Sequence, residues 1–231
     1  KESDKVICVS THTLDELKKI DSNKLSKFQF IPNGVDINTY KPIKIDRDRF
    51  LKEKFNIDVK NKIVLLYIGR LEYGKGVNIL SGVVSEMEDI ALLLVGDGPE
   101  KENLQKNNNV MCLGYVNDAE IKNKILNSVD IFVFASLYEN FPSVICEAMA
   151  ARLPILSTKV GMVPELLGNR EEVLVSTNNV AEFRDKLINL INDEGLRKKE
   201  SRLNYEYAKN NLDWKKVADE YLHLYNNLVN N

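Results

Sequence analysis

Histidine and cysteine are scarce in this sequence, and each scarcity closes off a class of chemistry. The two histidines, His12 and His223, lie near opposite ends of 231 residues, each in a stretch of helical pattern. Neither has a metal-ligand spacing or a nucleophile beside it, so neither is assigned a catalytic role. The three cysteines, Cys8, Cys112 and Cys146, are odd in number, far apart and embedded in apolar runs. This argues against a disulfide framework or a CxxC zinc site, and they read as small buried hydrophobes in a reducing, cytoplasmic compartment. No apolar run approaches a membrane span, and the opening KESDKVICVS has none of the features of a signal peptide. A formal net charge of only −2 gives no overall pull towards nucleic acid or anionic lipid. A phosphate would have to be held by locally placed groups. The chain also lacks an initiator Met and enters a strand-like run almost at once, as expected of a piece cut from something longer.

What is present is an apolar fraction of 44% and a charged fraction of 29%, which suit a soluble globular protein with room for one large α/β domain. Short β-rich runs alternate with amphipathic stretches: VICVS (6–10), KFQFI (27–31), KIVLLYIG (62–69), IALLLVG (90–96), NVMCLG (109–114), DIFVFAS (130–136), LPILST (153–158) and VLVS (173–176). This alternation predicts a mainly parallel, Rossmann-like sheet flanked by helices on both faces. From Val180 onward the pattern is helical alone. Ligands of such open sheets bind outside the carboxyl ends of the strands. The residues to inspect are therefore 70–76, 97–99, 115–117, 137–142 and 159–164.

Leu65 to Val77 reads LLYIGRLEYGKGV, and Gly69, Gly74 and Lys75 reproduce the start of a phosphate-binding P-loop after a strand. Gly76 stands where that loop needs a Ser or Thr to hold Mg²⁺. Arg70 and Lys75 together suit a diphosphate without a metal, although an ordinary solvated turn accounts for them equally well. GDGPE (96–100) reads as a tight strand-to-helix turn, with Pro99 opening the helix, rather than a dinucleotide fingerprint. In SLYENFPSVICEAMA (136–150), Glu139 lies in the loop after a strand, Pro142 suits the first turn of a helix, and Glu147 falls about one and a half turns further in. Amides near Ser143 and Val144 are then free at a helix start, where an anion is favoured, and the two carboxylates can accept hydrogen bonds from sugar and ribose hydroxyls. Two solvated glutamates are the plainer alternative. A glycosidase pair fits the chemistry but not the placement, since both belong to one strand–loop–helix unit.

TKVGMVPELLG (158–168) offers another turn into a short helix, framed by Gly161 and Pro164. IPNGVD (31–36) reads as a turn with Asn33 and Gly34 supplying positive φ. Asp46 and Asp48 form a D-x-D that is better explained as acidic residues at a helix start than as a metal site.

In order and spacing these segments resemble the C-terminal half of a retaining glycosyltransferase of family 4, the group 1 glycosyltransferases with the GT-B fold. The resemblance runs nearly end to end, through VICVS, IPNGVD, YIGRLEYGKGV, LLLVGDGPE, LGYV, DIFVFASLYENFPSVICEAMA, LPILSTKVGMVPELL and the late Trp214. It implies a nucleotide-diphosphate sugar as donor, with UDP, GDP (as in GDP-mannose) and ADP all open as carriers. Glu139 and Glu147 match the family's E-x₇-E motif, which implies Glu147 on the ribose and Glu139 near the donor sugar. Asn140, Phe141, Pro142, Ser143 and Val144 then surround the sugar and distal phosphate, Val116 lies in the region lining the base, and Arg70 and Lys75 neutralise the departing diphosphate. Neither a metal nor another cofactor is expected.

The resemblance also implies a division of the chain. Residues 1–44 would be a remnant of an N-terminal acceptor domain with its linker, 45–208 the nucleotide-sugar domain, and 209–231 a helix crossing back to the missing partner. A longer protein of this kind is expected to associate peripherally with a membrane and to bind no nucleic acid. This chain departs from the family's frequent Gly at Asn140 and from its Gly-Gly at Gly161-Met162. The expected activity is metal-independent hexosyl transfer with retention to an unassigned acceptor, the isolated piece being inactive. A P-loop-like NTPase and a non-catalytic nucleotide-binding or interaction domain are the alternatives.

Overall fold

The eight apolar runs become eight strands in the computed structural model, which describes residues 3–20 and 22–230, the side chains of residues 22–24 excepted. They are β1 Val6–Cys8, β2 Phe28–Phe30, β3 Ile63–Ile68, β4 Ile90–Val95, β5 Val110–Gly114, β6 Ile131–Phe134, β7 Ile155–Thr158 and β8 Leu174–Val175. Six of them form one sheet in the order β5-β4-β3-β6-β7-β8, every pairing parallel. The central strands are buried along almost their whole length because their residues are apolar on both faces, as a sheet covered on two sides requires.

The helices are α1 Thr11–Ile20, α2 Arg47–Phe55, α3 Val77–Val84, α4 Lys101–Leu104, α5 Ala119–Leu126, α6 Ser143–Ala150, α7 Val163–Leu166, α8 Val180–Asn192, α9 Glu194–Tyr207 and α10 Trp214–Val229. The chain lays down β3, β4 and β5 in one direction, then returns beside β3 to lay down β6, β7 and β8 in the other. The carboxyl ends of β3 and β6 flank this reversal, where loops diverge and leave a crevice.

Several local expectations are met. Asp46 caps α2, its carboxylate accepting the Arg49 N–H at 3.1 Å, so the D-x-D is a helix start. Pro164 leads into the short helix α7 and lies in its first turn, whereas Pro142 stands one residue before α6, as its N-cap, rather than in the first turn.

Others need correcting. Asn33 and Gly34 are not among the residues with positive φ. A Cβ on Gly34 would instead lie 2.6 Å from the Trp214 ring, so glycine is required by packing rather than by a turn. Pro99 does not open α4, which begins two residues later at Lys101. Cys112 is only half-buried, whereas Cys8 and Cys146 are buried, and all three are free thiols.

β1 and β2 form a separate two-stranded parallel sheet. The final helix packs against it through Val217 and Leu224, which join Ile31, Ile7 and Tyr221 in a small second core. Backbone bonds from Val35 N–H to the Leu212 carbonyl (2.7 Å) and from Trp214 N–H to the Val35 carbonyl (3.2 Å) fix where that helix begins. No described helix is long and apolar enough to cross a membrane.

Candidate functional site

Two adjoining cavities run across the carboxyl ends of the strands, from the crevice between β3 and β6 towards β5. The larger, about 370 Å³, is lined by Tyr115, Val116, Asn117, Lys122 and Glu147, among others. The smaller, about 210 Å³, is lined by Tyr67, Lys75, Glu139 and Phe141. Both share Arg70, Ser143 and Val144, so these residues form the middle of one continuous groove. A shallower concavity of about 610 Å³ lies beside Asn107, Asn108 and Asn109 at the opposite, amino edge of the sheet, away from where open parallel sheets bind ligands.

Lys75 reaches the smaller cavity from the tight turn Tyr73–Lys75 that follows β3. Its ammonium donates to Glu139 Oε1 at 2.7 Å, both side chains being less than one fifth exposed (19% and 17%). The Lys75 ammonium also lies 5.1 Å from the centre of the Tyr138 ring, and the Ser136 hydroxyl donates to Glu139 Oε1 at 3.3 Å. The turn ends at Gly76, with φ +68°, where a Cβ would come within 1.9 Å of the Ala135 carbonyl oxygen. A Ser or Thr in this position would collide with the backbone following β6. The departure from a P-loop is therefore built into the way the two loops meet.

Arg70, read from the sequence as the partner of Lys75, differs from it in setting. Its side chain is 73% exposed and pairs with Glu72 at 3.1 Å, although it lines both cavities. Pro142 turns the chain into α6, where the Ser143 and Val144 N–H groups stand in the first turn without intrahelical acceptors. Phe141 lines the smaller cavity with Glu139. Asn140 does not line either cavity, because its side chain is bonded to Ser10 and Thr13 on the other side of the loop.

Glu147, one and a half turns into α6, is gripped by a lysine that sequence reasoning missed. Lys122 Nζ donates to both carboxylate oxygens, at 3.3 and 3.2 Å, and lies 5.4 Å from the centre of the Tyr40 ring. The side chains are 19% and 13% exposed. Burial pushes the Glu147 carboxyl above its ordinary range, an effect that Lys122 and Tyr40 only partly offset. Burial pulls the Lys122 ammonium the other way, but the Tyr40 hydroxyl and the Glu147 carboxylate outweigh it and raise it overall. Val116 and the exposed ring of Tyr115 close the far end of the larger cavity, at the carboxyl end of β5.

The groove thus presents a carboxylate at each end, and between them an exposed guanidinium and two backbone donors. It suits a bipolar ligand with hydroxyls at both ends and negative charge in the middle. No three His, Cys, Asp or Glu side chains among the described residues form a cluster of the kind that holds a metal ion.

Comparison with known proteins agrees with the fold and narrows the family. The family model for glycosyl transferases group 1 matches residues 48–210. The chain belongs to the group 1 glycosyltransferases. It is 31% identical over 243 aligned positions to the GPI3 subunit of phosphatidylinositol N-acetylglucosaminyltransferase from Saccharomyces cerevisiae, across 97% of this chain and 51% of that protein. The chain spans about half the length of the curated relatives that it matches first. Among solved structures, Anabaena HepE in complex with UDP superposes with a TM-score of 0.85 at 22% identity, over 97% of this chain and 64% of that one. The C-terminal domain of the group 1 protein LpcC from Francisella tularensis superposes with a TM-score of 0.66 at 22% identity, over 78% of this chain and all of that one. These likenesses place the parallel sheet and its helices among GT-B glycosyltransferases.

Proposed function

We propose that this group 1 glycosyltransferase chain is the donor-binding, C-terminal part of a family 4 enzyme that transfers a hexose with retention from a nucleotide-diphosphate sugar. One observation carries the reading: the two cavities are joined through Arg70, Ser143 and Val144, with Glu147 on one side and Glu139 on the other. A nucleoside would occupy the larger cavity, its ribose hydroxyls donating to Glu147. The diphosphate would cross the middle, and the sugar would enter the smaller cavity beside Glu139.

As the bond between sugar and phosphate breaks, negative charge grows on the diphosphate. Arg70, Lys75 and the first amides of α6 are already in place to stabilise it, most strongly when water is excluded. In this reading those cations supply the counter-charge, and no metal ion is required. Glu139 holds Lys75 at the sugar end and has lone pairs left for a hydroxyl.

UDP is the preferred carrier, a choice supported by HepE, whose structures contain UDP and UDP-glucose. The separate small sheet and the limits of the family match support assigning residues 1–44 and 209–231 to a junction with an acceptor-binding partner domain. The acceptor would be held there, at a membrane surface reached peripherally from a reducing, cytoplasmic compartment. Calorimetry of the chain with UDP, GDP and ADP tests the donor-site reading. UDP should bind most tightly, and Glu147→Gln should weaken that binding about tenfold by removing a charged acceptor. Binding of none of the three nucleotides would overturn it.

A further inference from the structure

The loop that carries Glu139 is tied to a part of the chain 130 residues away. The Ser10 hydroxyl, fully buried, and the Thr13 hydroxyl, donating at 2.8 Å, converge on the side-chain carbonyl oxygen of Asn140. The Thr13 N–H in turn donates to Ser10 Oγ at 3.1 Å, so the cap of α1 and the tether share one oxygen. Thr11 extends the contact by donating to Glu165 Oε1 at 2.7 Å, on the short helix after β7. The two site loops are also bonded to each other, the Met162 N–H donating to the Asn140 carbonyl at 2.9 Å. Gly161 allows that approach: its φ is +49°, and a Cβ there would meet the Glu139 and Asn140 carbonyl oxygens at 2.5 and 2.4 Å. The first turn of α1, the Glu139 loop, and α7 with the turn that leads into it therefore form a closed triangle of hydrogen bonds.

We infer that Ser10 and Thr13 are positioning residues which act through Asn140 to hold the Glu139 loop in the form that receives the transferred sugar. The physical reason is local. Asn140 stands between Glu139 and Phe141, both of which line the smaller cavity, and a free asparagine side chain would leave this loop secured from one side only. With its Oδ1 occupied by two hydroxyls and its backbone carbonyl by Met162, Asn140 has little rotational freedom. Order is thereby passed to the residues on either side. The nucleoside end has no such dependence, because Glu147 and Lys122 are mounted on helices. The tether accordingly acts on the sugar and not on the nucleotide.

This inference rests on the donor-site reading, and the test separates the two. Calorimetry would compare UDP with UDP-glucose and UDP-N-acetylglucosamine on the unmodified chain and on Thr13→Val, Thr13→Ser, Asn140→Ala and the Thr13→Val/Asn140→Ala pair. UDP affinity should stay within about twofold throughout. The extra affinity contributed by the better sugar should fall about fivefold in Thr13→Val, as the loss of one hydrogen bond implies. Thr13→Ser, which keeps the hydroxyl, should restore it, and the double variant should be no worse than Asn140→Ala alone. A sugar increment unchanged by Thr13→Val, or absent from the unmodified chain, overturns the inference while leaving the nucleotide site standing. Equal loss of UDP and UDP-sugar binding in Thr13→Val also overturns it, since general damage to the fold would then be the cause. Failure of the unmodified chain to bind UDP overturns the donor-site reading and this inference with it.

Discussion

The lysine–glutamate pairs at the two ends of the groove are buried to a similar degree, yet they are mounted differently. Lys122 and Glu147 stand on α5 and α6, two helices fixed by packing against the sheet. Lys75 and Glu139 stand on loops, one a tight turn after β3 and the other the segment between β6 and α6. A helix-mounted pair keeps its geometry whether or not a ligand is present, which suits a nucleoside that is the same in every turnover. A loop-mounted pair takes its geometry from the bonds that hold its loops, here those of Asn140 to Ser10, Thr13 and Met162, so the sugar end depends on distant parts of the chain. On the donor-site reading proposed above, the difference would divide recognition from transfer along a single groove.

The loop-mounted pair depends on Gly76, and Gly76→Ser should produce the largest effect. That substitution completes the P-loop sequence pattern while placing a side chain at φ +68° and almost on top of the Ala135 carbonyl oxygen. Left-handed strain and overpacking together should cost about 4 kcal/mol, read as a shift in the denaturant midpoint, with no gain of Mg²⁺-dependent nucleotide hydrolysis. A variant as stable as the parent would mean that the two loops are not pressed together as described.

Lys122→Met attacks the helix-mounted pair. It leaves Glu147 buried without its cation, and about 3 kcal/mol of stability should be lost at neutral pH, with weaker UDP binding. The pH dependence has a definite sign. The folded-state pKa of Glu147 already lies above the unfolded value and should rise further without Lys122. Its contribution is then most favourable below the ordinary glutamate pKa and declines as pH rises through the folded value. The stability gap between variant and parent should therefore narrow on acidification, as paired denaturation curves at several pH values would show. Adding Glu147→Leu should recover stability but not UDP affinity. A gap that is constant or widens on acidification would rule out the buried-carboxylate account.

The strands were legible because a doubly covered parallel sheet needs apolar residues on both faces, and runs such as IALLLVG meet that need with local sequence alone. Glu139 and Glu147 were legible for a related reason: a strand end and a helix start could be located, and the carboxylates placed relative to them. Lys122 was not, since its partner is 25 residues away on another helix. A signal did exist, because Lys122 lies three and four residues before the buried Ile125 and Leu126, on the stripe of α5 that faces inward. The tether of Ser10 and Thr13 to Asn140 had no local signal at all. Gly34 was misread because turn chemistry and the approach of a distant tryptophan ring select the same residue.

At the transfer end, Lys75→Ala should cut turnover about a hundredfold in a form of the protein competent for sugar transfer, corresponding to about 2.7 kcal/mol of transition-state stabilisation. The measurement is single-turnover transfer at saturating donor. Near-normal rates would remove Lys75 from the reaction.

Arg70 provides the finer comparison, because the sequence suggests equivalence with Lys75 and the structure does not. Lys75 is held in a half-closed site by Glu139, whereas Arg70 is 73% exposed and paired with Glu72 at the surface. A charge in water stabilises a neighbouring anion far less than one shielded from it, and salt weakens it further. Arg70→Ala should therefore reduce turnover only about tenfold, with a penalty that shrinks as ionic strength rises, while the Lys75→Ala penalty stays nearly constant. If the two substitutions proved equal at every salt concentration, Arg70 would have to move into a shielded position during the reaction. Closure over the groove would then contribute to catalysis by burying this guanidinium as well as by excluding water.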